Sequence, residues 1–208
     1  MVEFERTGTL PKRKLPGLKG KASLMLLMVL VLLGVLAGTL VFCNMSGTDI
    51  SDLSFVTQGF IKERAEHTFI QTFLESFSSS SLLVLVCFLM GFWAIAQPFE
   101  LLVPFFRGLG LGASMSYIYA MYGIKGFFII LIMILPHAVI SSVAIIFSAR
   151  ESIRLSNLFA ETVVNGNNSN MASCIKLYLL KFLILFVIIG LSSLLDSILT
   201  FVFAGVLF

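Results

Sequence analysis

Residues 24–43 read LMLLMVLVLLGVLAGTLVFC and contain no charged side chain. A transmembrane helix needs about 20 consecutive, mostly apolar residues, and this stretch has that length. The composition agrees, because 58% of the 208 residues are hydrophobic and 12% are charged, whereas soluble domains contain about 25% charged residues. The sequence therefore predicts an all-α integral membrane protein.

Apolar stretches recur along the chain and predict a bundle of about five transmembrane helices. We place the spans at residues 24–43, 80–97, 105–122, 126–148 and 177–200. Residues 1–21 form a basic cytoplasmic tail, and residues 22–208 form a single transmembrane helical domain. The spans leave an outer loop at 44–79, where we expect an extracytoplasmic amphipathic helix. They also leave a cytoplasmic loop at 149–176, where we expect a short interfacial helix.

The distribution of Lys and Arg predicts the orientation. With a cytoplasmic N-terminus, Lys62, Arg64 and Lys125 fall outside, and the other eleven of the 14 basic residues fall inside. Cytoplasmic loops of membrane proteins carry an excess of Lys and Arg. We therefore predict a cytoplasmic N-terminus and an extracytoplasmic C-terminus in a multispan protein, with membrane lipid as its surroundings.

The glycine-rich stretch FRGLGLGASMSYIYAMYGIKG, residues 106–126, has two interpretations. A dinucleotide-binding loop requires a preceding strand and an acidic residue about 20 positions on, and the apolar surroundings supply neither. On a helix, Gly108, Gly112, Ser116 and Ala120 recur every four residues, with Gly123 near the next turn. Small residues at this spacing let helix backbones approach closely in lipid. The stretch predicts a helix-packing interface, either within the subunit or in a homo-oligomer.

Three ionisable residues in apolar surroundings are the candidates for a functional polar role: Arg107, His137 and Asp196. Residues 98–104 lie between two prolines and predict a segment along the inner interface, with Arg107 at headgroup level. A mid-span proline frees a backbone carbonyl, and His137 follows such a proline. We expect Asp196 near the outer interface, at a depth that differs from that of His137.

The sequence predicts no catalytic residue, metal ligand or cofactor. A hydrolase needs a nucleophile and a base within reach of each other, and His67 and His137 fall in different regions. Cys43, Cys87 and Cys174 are also separated, which indicates neither a disulfide framework nor a metal cluster. We expect a non-enzymatic protein that binds no nucleic acid. The alternative is a transporter or permease-like subunit with a path near Arg107 and His137.

Aromatic residues before the second span suggest a contact surface on the outer side. Phe69, Phe73 and Phe77 recur at helical spacing among polar residues. The resulting amphipathic helix is a candidate docking face for a protein partner. The alternative is a helix that only covers the ends of the spans.

Several short motifs together resemble a known family. They are FLESF at 73–77, GFWAIAQPF at 91–99, FRGLGLG at 106–112, YGIKG at 122–126 and LPHAVI at 135–140. Their order, over about residues 24–200, resembles the stage II sporulation protein M family. The resemblance implies a membrane scaffold of endospore-forming bacteria that acts in forespore engulfment. It also implies two cell-wall hydrolases as partners, the stage II sporulation proteins D and P.

Overall fold

The computed structural model describes residues 20–44, 69–93, 97–165 and 171–207. These parts form five α-helices: α1 (Gly20–Asn44), α2 (Phe69–Met90), α3 (Gln97–Ile129), α4 (Leu135–Asn165) and α5 (Met171–Leu207). A π-helical turn, Ile130–Ile134, joins α3 to α4. The predicted all-α membrane class is confirmed.

Within the described ranges, four helical stretches are long and apolar enough to cross a membrane, and one of them, Pro98–Ala160, has 63 residues. A straight helix of that length would extend about 95 Å, roughly three times the hydrocarbon thickness of a bilayer. The chain instead turns back at Gly123, which has φ 55° and ψ −129°, a conformation that glycine adopts readily. After the turn, Gly126 lies against the carbonyl oxygen of Ile118. The stretch is therefore a helical hairpin with two limbs, residues 97–122 and 124–165.

Contacts between the helices show their relative directions. The first limb of the hairpin meets the second through Arg107 and Ser141, and α4 meets α5 through His137 and Ser192. Both pairs of helices are antiparallel. We name the two ends of the bundle after buried acidic residues. The Glu100 end also holds Trp93, Glu151 and Lys181, and the Asp196 end also holds Asn44, Phe69 and Gly123.

The helix α2 corrects the predicted second span. We predicted a span at 80–97 and a separate amphipathic helix before it, but α2 begins at Phe69 and ends at Met90. Thr72, Ser76 and Ser80 recur every four residues on its buried face, and Ser76 bonds to α5. The prediction rested on phenylalanines at helical spacing among polar residues, and the buried hydroxyl groups lower the hydropathy of this part of the span. Residues 45–68, the remainder of the predicted outer loop, lie outside the described parts.

Two predicted interfacial segments are also parts of longer helices. Pro104 lies inside α3, so residues 98–104 form no separate segment. The predicted cytoplasmic helix after residue 148 is the continuation of α4 to Asn165. This continuation is held by the segment that follows α2, since Ser156 donates to the carbonyl of Trp93 at 2.8 Å. Aromatic rings of Phe88, Tyr178 and Phe182 pack together nearby, with centroids 4.5–5.5 Å apart.

Candidate functional site

The closest helix contact joins α1 to the first limb of the hairpin. Gly34 and Gly38 of α1 face Gly108 and Gly112 of α3, and a Cβ at any of the four would overlap a backbone carbonyl oxygen of the other helix. The oxygens belong to Phe105, Leu109, Val31 and Val35. This is the most extensive contact between two described helices. It has the close backbone approach that small residues allow in lipid.

Part of the predicted glycine ladder lies outside this contact. Ser116 donates a hydrogen bond of 2.8 Å to the carbonyl of Gly112 in its own helix, and Ala120 is exposed. Gly123 forms the hairpin turn, and a Cβ there would have no neighbour within 4 Å among the described residues. The contact is therefore shorter than predicted. Its partner is a second small-residue pair, Gly34 and Gly38, which the sequence analysis did not use.

Polar side chains meet between the helices near the Asp196 end. Asp196 is 1% exposed and accepts a hydrogen bond from Ser76 of α2. One turn earlier on α5, the hydroxyl of Ser192 lies 2.9 Å from Nδ1 of His137. Nδ1 also lies 3.2 Å from the carbonyl oxygen of Ser192. His137 therefore contacts α5 through Ser192.

This arrangement corrects the predicted depths. We expected His137 and Asp196 at different depths, but the partner of His137 is four residues from Asp196, about 6 Å along the helix. Proline cannot donate the backbone hydrogen bond of a regular helix. The π-helical turn, in which Leu135 N–H bonds to the carbonyl of Ile130, immediately precedes Pro136. The widened turn lies directly before His137, and such turns are frequent at functional sites.

Arg107 lies between α3 and α4, and its position at headgroup level stays a prediction. It is seven residues beyond Glu100, about 10 Å further along the helix. Its guanidinium donates a 2.6 Å hydrogen bond to Ser141, and the charge of Asp196 acts on it. Its Nε has no hydrogen-bond partner among the described residues. Charged groups within a membrane are costly and usually mark function.

The three predicted polar residues thus converge on one region of the bundle, from α3, α4 and α5. We call Arg107, His137 and Asp196, with Ser76, Ser141 and Ser192, the central polar network. It contains both signs of charge and links four helices. Within the described residues, no group of three or more His, Cys, Asp and Glu side chains comes together. The network is therefore suited to joining helices or to transferring a proton. Its described side chains do not form a metal site with several ligands.

The pair of Ser192 and His137 was missed by the sequence analysis. The Ser192 hydroxyl oxygen lies 2.9 Å from Nδ1 of His137, which is within the range that a nucleophile and its base require. Both residues are buried between α4 and α5, at 1% and 8% exposure. The two positions are 55 residues apart in the chain, so only the antiparallel packing of the helices brings them together.

A second buried polar group, also missed, lies at the Glu100 end. Glu100 is 0% exposed and contacts the Ser152 hydroxyl at 2.7 Å. Nearby, Lys181 of α5 forms a 2.7 Å ion pair with Glu151 of α4. A single acidic residue after the apolar run GFWAIAQPF was the available signal in the sequence.

The predicted aromatic docking residues differ in their surroundings. Phe69 lies at the start of α2 and is exposed, as are Ile70 and Leu74. The rings of Phe73 and Phe77 stack on each other with centroids 5.7 Å apart. Phe77 also lies beside Gly190 of α5, so its ring packs within the bundle.

These features together define a class: a multispan all-α membrane protein whose helices are joined by glycine contacts and by buried hydrogen bonds. A comparison with sequence-family models gives a narrower result, since the model described as Stage II sporulation protein M matches residues 26–207. The chain therefore belongs to the stage II sporulation protein M family, as its motifs predicted. No curated protein matches the chain, and no solved structure matches it.

Proposed function

We propose that this protein is a membrane scaffold that holds cell-wall hydrolases at the extracytoplasmic face during forespore engulfment. The observation that carries the proposal is membership of the family over nearly the whole chain. By resemblance, the partners are the stage II sporulation proteins D and P. The glycine contact and the central polar network support a scaffold role, because both join helices into a defined bundle on which a partner could dock.

We propose that the docking surface is at the Asp196 end. Helix α1 ends and helix α2 begins at this end, and the exposed Phe69 lies there. The excess of basic residues on the other side favours an extracytoplasmic position for this end. The two partners act on the cell wall, so they must meet the scaffold on that side.

Two natural cysteines test this orientation. Cys43 is exposed near the Asp196 end of α1, whereas Cys174 lies near the start of α5 at the opposite end, and Cys87 is buried. We expect a membrane-impermeant maleimide to label Cys43 in intact cells and Cys174 only after permeabilisation. The variants Cys43→Ser and Cys174→Ser assign each signal. Labelling of Cys174 in intact cells would reverse the proposed orientation.

The docking proposal is tested by copurification. We expect that replacing residues 50–66 with a Gly/Ser linker of equal length abolishes copurification of both hydrolases, because the linker keeps the α1–α2 connection but removes its side chains. The control replaces residues 2–11 of the tail in the same way, which keeps Lys12, Arg13 and Lys14 and with them the charges that favour the orientation, and it should retain both partners. Recovery of both hydrolases with the first variant at the wild-type level would contradict the proposal.

A transporter is the second candidate, favoured by the charged groups of the central polar network. Buried charged residues in membrane helices often line ion or proton paths. The scaffold proposal predicts that proteoliposomes show no more proton flux than protein-free vesicles, as measured with a trapped pH-sensitive dye. Flux in the wild-type protein that is lost in both Arg107→Ala and His137→Ala would overturn the scaffold proposal.

A further inference from the structure

The C-terminal turn of α2 is capped by hydroxyl groups from two other helices. The last carbonyl groups of a helix lack partners within it. The hydroxyl of Ser152, from α4, lies 2.6 Å from the carbonyl oxygen of Cys87. The hydroxyl of Tyr178, from α5, lies 2.9 Å from the carbonyl oxygen of Phe88. Both are hydrogen-bond distances, and each requires a proton between its two oxygens.

Glu100 adds a third contact of the same kind. Its Oε1 lies 2.7 Å from the Ser152 hydroxyl oxygen, which also contacts the carbonyl of Cys87. Each hydroxyl carries one proton, and neither an ionised carboxylate nor a carbonyl carries any. The Tyr178 hydroxyl also lies 3.4 Å from the carbonyl oxygen of Cys87, but its proton serves the shorter contact with Phe88. The single proton of Ser152 is left for two short contacts, with Cys87 and with Glu100. Without a further proton, one of these contacts would hold two acceptor oxygens at hydrogen-bond distance with no proton between them.

We infer that Glu100 is a proton-binding site, occupied in the folded protein. The bound proton lies on Oε1 and is donated to the Ser152 oxygen, and Ser152 then donates its own proton to the Cys87 carbonyl. This chain satisfies all three contacts. It joins α2, α3 and α4 at one end of the bundle, independently of the proposed function.

Burial supports the neutral form of the acid. Glu100 is 0% exposed, and its Oε2 has no hydrogen-bond partner among the described residues. An ionised carboxylate in such a position would be costly. The first turn of α3 favours a negative charge, but the carbonyl groups at the end of α2 oppose it. Ser152 is the hydrogen-bond partner that the described residues offer to Glu100.

Among the residues that the structure describes, the titratable groups around Glu100 offer no positive charge in direct contact. Cys87 faces it from α2 and Tyr178 from α5, and both interact with it electrostatically. Glu151 of α4 is nearby and is paired with Lys181 at 2.7 Å. Lys181 is therefore committed to another carboxylate. Loss of the proton from Glu100 would leave a charge against the carbonyl end of α2 and would weaken the attachment of the α2–α3 turn.

Infrared spectroscopy of the full chain in lipid nanodiscs tests the assignment. A protonated carboxylic acid has a carbonyl stretch that is separate from the bands of a carboxylate. We expect such a band at neutral pH in the wild-type protein, its loss in Glu100→Gln, and its shift in Ser152→Ala, which removes the hydrogen bond. Asp196→Asn is the control and should retain the band. A spectrum in which Glu100→Gln removes a carboxylate band instead would overturn the inference.

Thermal unfolding gives an independent readout. The amide of glutamine can donate where the acid donates, so Glu100→Gln should unfold near the wild-type temperature at neutral pH. The folded protein holds a proton that the unfolded chain releases, so wild-type stability should fall as pH rises. This fall should be smaller in Glu100→Gln. Equal pH dependence in both proteins would overturn the inference, as would stabilisation by sodium ions that requires Glu100.

Discussion

Gly112→Ala is expected to lower the unfolding temperature of the detergent-solubilised protein by several degrees, whereas Gly110→Ala leaves it unchanged or raises it. A Cβ at Gly112 would overlap the carbonyl oxygen of Val35, while a Cβ at Gly110 has no neighbour within 4 Å. The backbone of α1 can yield only if the two helices separate. Overpacking of this kind costs about 1–3 kcal/mol, and each kcal/mol corresponds to roughly 2–4 °C in a protein of this size.

The two variants discriminate well because the same substitution is expected to have opposite effects on the unfolding temperature at two positions in one helix. Alanine is favoured over glycine in a helix by up to about 1 kcal/mol, so Gly110→Ala carries only the benefit. Gly38→Ala in the partner helix should resemble Gly112→Ala. The variant with both changes should lose less than the sum, since the first change already separates the helices. Equal unfolding temperatures for Gly110→Ala and Gly112→Ala would contradict the observed contact.

Arg107→Gln and Asp196→Asn are each expected to destabilise the bundle strongly, and the variant with both changes is expected to lose less than the sum of the two. The charge of Asp196 acts on Arg107 inside the bundle, and removal of one leaves the other buried without its opposite charge. Breaking a buried pair in this way typically costs about 3–5 kcal/mol. The double variant removes both charges and should recover part of the loss, with a coupling energy of about 0.5–3 kcal/mol.

Denaturant unfolding of the two single variants, the double variant and the wild type measures this coupling. The matched control is the ion pair of Glu151 and Lys181, in which the Lys181 side chain is 39% exposed. Solvent screens such a pair, so its coupling should stay below about 1 kcal/mol. If Arg107 and Asp196 instead give additive effects, the two charges do not stabilise each other and the central polar network must be reinterpreted.

The fold class was predictable because lipid imposes simple rules on sequence. An uncharged run such as residues 24–43 can span a membrane only as a helix, since every backbone polar group must be satisfied within the chain. The motif order also predicted the family. The start of α2 was not predictable from hydropathy, because Thr72, Ser76 and Ser80 turn inward and are hidden from lipid.

The partners of the polar residues were similarly inaccessible to sequence reasoning. Arg107 and His137 were recognisable as unusual residues, but their contacts with Ser141 and Ser192 depend on how the helices align. The same holds for Glu100, which stood out as a single acid in apolar sequence. Its role as a proton-binding site was inferred from the distances between the Ser152 hydroxyl and two different oxygens.

The sequence alone determined that this chain lies in a membrane, that it is helical, and which residues are small or charged. These are properties of local composition, and lipid acts on them segment by segment. The tertiary structure decided that Gly108 and Gly112 pack against α1, that Gly123 ends a limb, and that the buried polar groups form two separate sites. Those outcomes depend on the register between helices far apart in the chain, which no local pattern encodes.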